Sequence, residues 1–220
     1  MLNKEIISAS VPSLHLNDPV SQALDLMADF HVTHLPVVVE DKLAGLIGED
    51  DLLNVEDDNT RLSQLQNLFS KITAHADSVF FEAVQMVNEF GLTVVPVITK
   101  EGEYAGSIIA TDLLKQISKI SGVNDTGGVI VLEMEKVSFA FSELSKLVET
   151  NDAQITQLNT YTDSHSGSFY VVLRINKLEI SDIVATFQRY EYQVKYYFGE
   201  ELYENELRSN YDHLMNYLNI

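Results

Sequence analysis

Cysteine is absent from the 220 residues, which excludes disulfides, iron–sulfur clusters, thiolate zinc sites and cysteine nucleophiles. Basic residues are scarce. Fourteen Lys and Arg stand against 33 Asp and Glu, a formal net charge of −19. A surface this acidic repels phosphate backbones and anionic headgroups, so neither nucleic acid nor a membrane is expected as a partner. Long apolar runs are lacking too: MLNKEIISASVPSL at the start has no signal-peptide core, and no run reaches the length of a bilayer span. The cytoplasm is the expected location. No glycine-rich phosphate loop is present, and the six His form no metalloprotease string. His31 and His34 fall where a helix passes into a strand, so His34 reads as packing before Pro36. Ser164-His165-Ser166-Gly167 reads as a hairpin turn, not as a nucleophile with its base. The acidic triplets Glu49-Asp50-Asp51 and Glu56-Asp57-Asp58 lack the spacing of a calcium loop and read as solvated. No acid–base or nucleophile constellation assembles, so a non-enzymatic protein without a metal site or an obligatory cofactor is expected.

What is present is an internal repeat. Shifted by 60 positions, Ala23 meets Ala83, Phe30 meets Phe90, Thr33 meets Thr93 and Pro36-Val37 meets Pro96-Val97; after one inserted residue, Gly45 meets Gly106, Ile47 meets Ile108 and Asp51-Leu52-Leu53 meets Asp112-Leu113-Leu114. Each copy opens with an Asp placed to cap a helix (Asp18, Asp77). An amphipathic helix follows, carried by Val20, Ala23, Leu24, Met27 and Phe30, or by Phe80, Ala83, Val84, Val87 and Phe90. Two short β-branched runs then form a hairpin, and Asp51 or Asp112 starts a further helix. A bridging helix is expected near Leu62–Phe69. One such unit has little core of its own, whereas two packed together bury their sheets.

The Gly/Ser/Asn/Asp-rich stretch 121–128 breaks the pattern. Beyond it the order changes to strand 129–134, helix 141–148, strands 155–162 and 169–175, helix 179–189 and strand 192–198. This β-α-β-β-α-β order is the ferredoxin-like arrangement. Phe141, Leu144, Leu147 and Val148 are placed on one face of its first helix, and Ile180, Ile183, Val184 and Phe187 on one face of its second. In the last segment, Tyr203, Leu207, Tyr211, Leu214 and Leu218 recur at helical spacing and must cover either this chain's own sheet or a partner. The fold class is α/β (α+β), with domains at 1–60, 61–121 and 128–198 and a helical tail at 199–220. Tyrosines crowd the end of the chain, but Glu outnumbers Arg and Lys among them, which fits a core or an interface and not single-stranded nucleic acid.

HLPVV at 34–38, VVPVI at 94–98, GLIGEDDL at 45–52 and GSIIATDL at 106–113 resemble the CBS (cystathionine β-synthase) domain in its tandem form, the Bateman module. The second part resembles the ACT domain through its element order, and the combination is similar to the AcuB (acetoin utilization) group of bacterial regulatory proteins. The CBS resemblance implies an adenosine-type ligand in clefts between the repeats, with Asp51 and Asp112 holding ribose hydroxyls. A carboxylate accepts both hydrogen bonds of a vicinal diol. Gly45 and Gly106 belong to the same motifs, and Val37, Leu46, Ile47, Val97 and Ile108 would wall the adenine. The Thr or Ser of the family motif is replaced by Gly48 in one copy and Ile109 in the other. Glu49 and Asp50 crowd Asp51 with no Lys or Arg nearby in sequence, so a ligand with few phosphates is expected. The loop 135–139 lacks the glycine that amino-acid-binding ACT domains carry, so direct amino-acid binding is not expected, while sheet-to-sheet dimerisation through this domain stays open.

Two functions follow from these expectations. In one, the protein is a regulatory sensor in which a CBS pair binds adenosine, AMP, ADP, ATP or S-adenosylmethionine and passes the change to the ACT-like domain, within a homodimer. In the other, it is a ligand-free dimerisation or protein-interaction scaffold whose CBS pockets have degenerated.

Overall fold

The computed structural model describes residues 1–8 and 10–199, in two compact units that divide after Ile120. The tail helix expected at 199–220 lies, from residue 200 on, outside the described residues.

In the first unit, helix α1 (Val20–Phe30) leads into the hairpin β1 (His34–Val39) and β2 (Lys42–Gly48), followed by the short α2 (Glu49–Leu53). After strand β3 (Ala74–His75), the plan recurs as α3 (Phe81–Phe90), β4 (Val94–Ile98), β5 (Tyr104–Ile109) and α4 (Ala110–Ile120). Both hairpins are antiparallel and carry an irregularity at the same repeat position, between Val37 and Val38 and between Val97 and Ile98.

The two repeats are tied by their connecting segments, which cross. The N-terminal segment pairs Ser8 with Ser107 on β5 of the second repeat, then Leu14 with Val37 on β1 of the first. The linker between the repeats does the reverse: Ser70 pairs with Leu46 on β2 of the first repeat, and β3 then runs parallel to β4 of the second, Ala74 opposite Val97. The cores interlock accordingly. Val94 of the second repeat belongs to the first core with Leu14, Val37 and Ile47, while Leu46 of the first belongs to the second core with Val97 and Ile108.

The crossing explains the motif glycines. A methyl group on Gly45 would lie 2.7 Å from the Cβ of Phe69 and 2.8 Å from the carbonyl oxygen of Ser70. On Gly106, at φ +132°, it would lie 2.5 Å from Cγ2 of Ile7. Each glycine lets a crossing segment lie directly against the hairpin.

Several local expectations are corrected. No α-helix bridges the repeats; Leu62–Gln64 and Gln66–Leu68 are single 3₁₀ turns. The amides that would build an α-helical ladder reach back three residues instead of four, Leu65 to Leu62, Leu68 to Leu65 and Phe69 to Gln66; ahead of them, Leu62 N–H donates to the Asp18 carbonyl and Ser63 N–H to that of Leu16. Asp18 and Asp77 cap no helix. The carboxylate of Asp18 closes a turn by accepting from His15 N–H at 2.8 Å, and Asp77 is paired with Lys4 at 2.8 Å and Lys100 at 3.2 Å. Phe30 and Phe90, at the ends of their helices, are exposed.

The second unit places β6 (Val129–Met134), α5 (Phe141–Glu149), β7 (Ile155–Thr162), β8 (Phe169–Ile175), α6 (Ser181–Arg189) and β9 (Gln193–Phe198) in an antiparallel sheet of order β7-β8-β6-β9. This is the ferredoxin-like topology. Leu144, Leu147 and Val148 from α5, and Ile183, Val184 and Phe187 from α6, pack on Ile130, Leu132, Phe169, Val171, Leu173 and Ile175 of the sheet. Phe141 is exposed instead of sharing that face. Phe139 takes the inward place, edge-on to Phe169 at 5.8 Å.

The crossing predicts an asymmetry among glycine substitutions. Gly45→Ala or Gly106→Ala forces an inserted methyl into backbone or a packed side chain and is expected to cost about 1–3 kcal/mol. Gly48→Ala, whose methyl meets nothing nearer than 3.6 Å, is expected to stay within about 0.5 kcal/mol. Urea unfolding midpoints of the three variants check this.

Candidate functional site

The repeats also meet at their paired threonines. Thr33 N–H donates to Oγ1 of Thr93 at 2.9 Å, and the two hydroxyls are 3.3 Å apart. Each threonine carbonyl accepts the first amide of its own repeat's second helix, from Glu49 to Thr33 at 2.8 Å and from Ala110 to Thr93 at 2.9 Å. The clasp therefore sets the starts of α2 and α4, which carry Asp51 and Asp112 in their first turns.

One side chain breaks the symmetry of the clasp. His34, whose repeat partner is Val94, sets its Nδ1 3.0 Å from Thr33 Oγ1 and 3.2 Å from Thr93 Oγ1. The same nitrogen accepts from Thr93 N–H at 3.4 Å. An Nδ1 that accepts leaves the proton on Nε2. Burial holds the imidazole below the usual histidine range, against the opposing pull of Asp50, Asp51 and Glu49. The neutral ring therefore offers one N–H donor at Nε2. That nitrogen lies 3.7 Å from the position a methyl on Gly48 would take, and Oδ2 of Asp51 lies 3.6 Å from the same point. Gly48 replaces the Thr or Ser of the family motif, so the space of the missing side chain is bordered by a donor and a carboxylate.

The two carboxylates differ. Asp112 pairs with Lys115 one turn along α4 at 2.8 Å, whereas Asp51 has no ion-pair or hydrogen-bond partner among the described residues and is exposed. Five residues are expected to wall an adenine. Val37, Ile47, Val97 and Ile108 have no exposed surface, and Leu46 keeps 2%; they lie instead in the two cores, with Ala23, Met27 and Leu52 of α1 and α2 or with Ala83 and Leu113 of α3 and α4. Gly45 and Gly106 serve packing. The side chains that keep surface at the junction are Thr33, His34, Asp51, Thr93, Ile109 and Asp112. Thr33 and Thr93 could have been found from sequence, as the one polar pair among the repeat matches that precede the motif prolines.

The CBS domain family profile matches residues 4–58 and 68–119, once over each repeat. The first unit is a pair of CBS domains. An inosine-5′-monophosphate dehydrogenase of Aquifex aeolicus is 31% identical over 100 residues, 44% of this chain, and the match spans a fifth of that relative's length. A CBS domain pair/ACT domain protein from Thermotoga maritima is similar in structure, with TM-score 0.49 and 19% identity over 54% of this chain and 98% of its own. A CBS domain pair solved in complex with 5′-methylthioadenosine and S-adenosyl-L-methionine is similar at TM-score 0.45 and 22% identity, over 54% of this chain and 97% of its own. Among the described residues no helix is long and apolar enough to cross a membrane, and no three His, Asp or Glu cluster as metal ligands.

The His34 environment predicts a pH dependence. Because its folded pKa lies below the unfolded value, the unfolded chain takes up this proton first as pH falls. Stability from this group is complete above the unfolded value near 6.5 and is lost as pH falls toward the folded one. His34→Gln keeps the side chain polar but removes the titration, so the variant is expected to lose less stability than the parent between pH 7 and pH 5. Chemical denaturation at the two pH values measures the difference.

Proposed function

We propose that the CBS pair is a regulatory module that binds a phosphate-free adenosyl ligand at the junction of the repeats, with Asp51 and His34 as its polar contacts. The single observation that carries this reading is the space beside Gly48, flanked by the Nε2 donor of His34 and the unpaired carboxylate of Asp51. The ribose diol supplies the matching groups: one or both hydroxyls donate to the carboxylate, and a hydroxyl oxygen accepts from Nε2–H. A phosphate in the same place would meet Glu49, Asp50 and Asp51 together, with a neutral His34 to offset them. A cationic sulfonium on the ribose would instead be favoured by those charges. Adenosine and S-adenosylmethionine thus rank above AMP, ADP and ATP. Asp112, held by Lys115, makes the second cleft the weaker one. In this reading the module acts in the cytoplasm and passes the ligand's effect through 121–128 to the ferredoxin-like, ACT-like unit, within a homodimer.

The burial of Val37, Leu46, Ile47, Val97 and Ile108 favours a second reading, in which the pair binds nothing and serves as a dimerisation or interaction scaffold.

A thermal-shift panel separates the two. At 100 times its dissociation constant, a ligand of the native state stabilises by about 2.7 kcal/mol, readily seen in the melting temperature. Adenosine or S-adenosylmethionine is expected to raise the melting temperature of the parent, with Asp51→Asn removing the response and Asp112→Asn retaining most of it. Silence across the panel supports the scaffold. A magnesium-free response to ATP as large as that to adenosine sinks the preference for phosphate-free ligands.

A further inference from the structure

A cavity of about 390 Å³ opens in the second unit between α5 and the turn that joins α6 to β9, a size at the lower end of small-molecule sites. Glu143, Lys146, Leu147 and Thr150 line it from the helix side, Tyr190 and Tyr192 from the turn. The turn owes its shape to a Schellman helix end. Glu191 takes the left-handed conformation at φ +65°, its N–H donates to the Gln188 carbonyl at 3.0 Å, and Tyr192 N–H donates to that of Phe187 at 3.0 Å. The ring of Tyr192 packs edge-on to Phe187, with centroids 5.7 Å apart, so the core fixes this wall. Leu147, 8% exposed, brings the same core to the opposite wall.

The polar groups of the lining divide into those already engaged and those left over. Tyr192 Oη donates to Glu143 Oε2 at 3.2 Å, and Thr150 Oγ1 donates to the Leu147 carbonyl at 2.7 Å. The Lys146 ammonium and the Tyr190 hydroxyl have no hydrogen-bond or ion-pair partner among the described residues. Both can donate, and the ammonium cannot accept. The Arg189 guanidinium lies 5.7 Å from the centre of the Tyr190 ring, which sets a second positive charge beside the cavity. On a chain of net charge −19, unused donors beside two cations and two aromatic rings are a local exception. We propose that this cavity binds a small aromatic carboxylate, its carboxylate held by Lys146 and Tyr190 and its ring lying against Tyr192 and Leu147. The carboxylate takes both donors in charge-assisted hydrogen bonds, and the ring gains offset or edge contacts with tyrosine beyond simple burial. An amino group on the ligand adds little, because Glu143 already accepts from Tyr192. The site shares no residue with the junction of the repeats and stands whichever reading of that junction holds.

Amide NMR titration of the full chain with 3-phenylpropionate tests this, with phenylalanine as the counterpart that carries an amino group. The expected result is saturable binding of 3-phenylpropionate, at least as tight as that of phenylalanine, with shifts centred on residues 143–150 and 189–193. Lys146 is exposed, so Lys146→Gln is expected to melt with the parent. It is expected to bind about tenfold more weakly, the loss of one hydrogen bond to a charged group. Tyr190→Phe, which keeps the ring, is expected to lose a smaller share. Asp51→Asn is expected to leave the titration unchanged, which keeps this result apart from any response at the junction. No saturable binding, binding that Lys146→Gln and Tyr190→Phe both leave intact, shifts centred elsewhere, or tighter binding of phenylalanine each overturns the proposal.

Discussion

The crossing of segments 6–14 and 69–76 from the hairpin of one repeat to the hairpin of the other is the constraint on which the rest of the first unit depends. A two-stranded hairpin with one or two helices buries too little apolar surface to persist by itself. Here each hairpin gains a third partner from the segment that leads into the opposite repeat. Leu46 and Val94 sit in the core of the repeat to which they do not belong by sequence. Neither repeat is complete without the other, and the motif glycines, usually read as part of a ligand loop, are first required for the contact between backbones.

The same interlocking decides which side chains keep surface at the junction. The helices and the interlocked cores bury the apolar strand residues and leave polar chemistry at the junction, where the Thr33–Thr93 clasp holds the starts of α2 and α4. That chemistry is unequal in the two halves. Gly48 with His34 opens a space on one side, while Ile109 with Val94 fills the equivalent place on the other with apolar bulk. Asp51 is unpaired and Asp112 is engaged by Lys115. Two repeats of the same local plan thus differ in their chemistry at a few positions.

The period of 60 and then 61 residues made the repeat legible, because each match falls on a structural need: a strand turn, a crossing glycine or a helix start. The ferredoxin-like order was legible from the alternation Phe169, Val171, Leu173, Ile175 and from the helical spacing of Ile183, Val184 and Phe187, all of which are buried. What misled were local patterns with tertiary competitors. Leu62, Leu65 and Phe69 have helical spacing, but the amides of Leu65 and Phe69 reach back only three residues, while Leu62 and Ser63 are bonded to segment 16–18 and Ser70 to Leu46. Asp18 and Asp77 look like caps, yet nearer donors, His15 N–H for one and two lysines for the other, take their carboxylates. The residues expected to wall an adenine are buried in the two cores. His34, read as packing alone, is both packed and polar, since its Nδ1 is engaged by a threonine 59 positions away. No local pattern carries that information.

A ligand at the junction can change this molecule only by as much as its affinity differs between two arrangements of the repeats. The clasp supplies a physical basis for such a difference. Each second helix is tied to its threonine carbonyl by a hydrogen bond from its first amide, and the threonines are tied to each other and to His34 by neutral hydrogen bonds, each contributing roughly 0.5–1.5 kcal/mol. These are small terms, within reach of one well-placed ligand hydroxyl competing for the same donors and acceptors. Hydrophobic burial holds the two repeats together through the crossed segments, so the polar junction can rearrange while the cores stay intact. In the proposed reading, separating the strong apolar tie from the weak polar one would let the folded pair respond to a small molecule instead of unfolding.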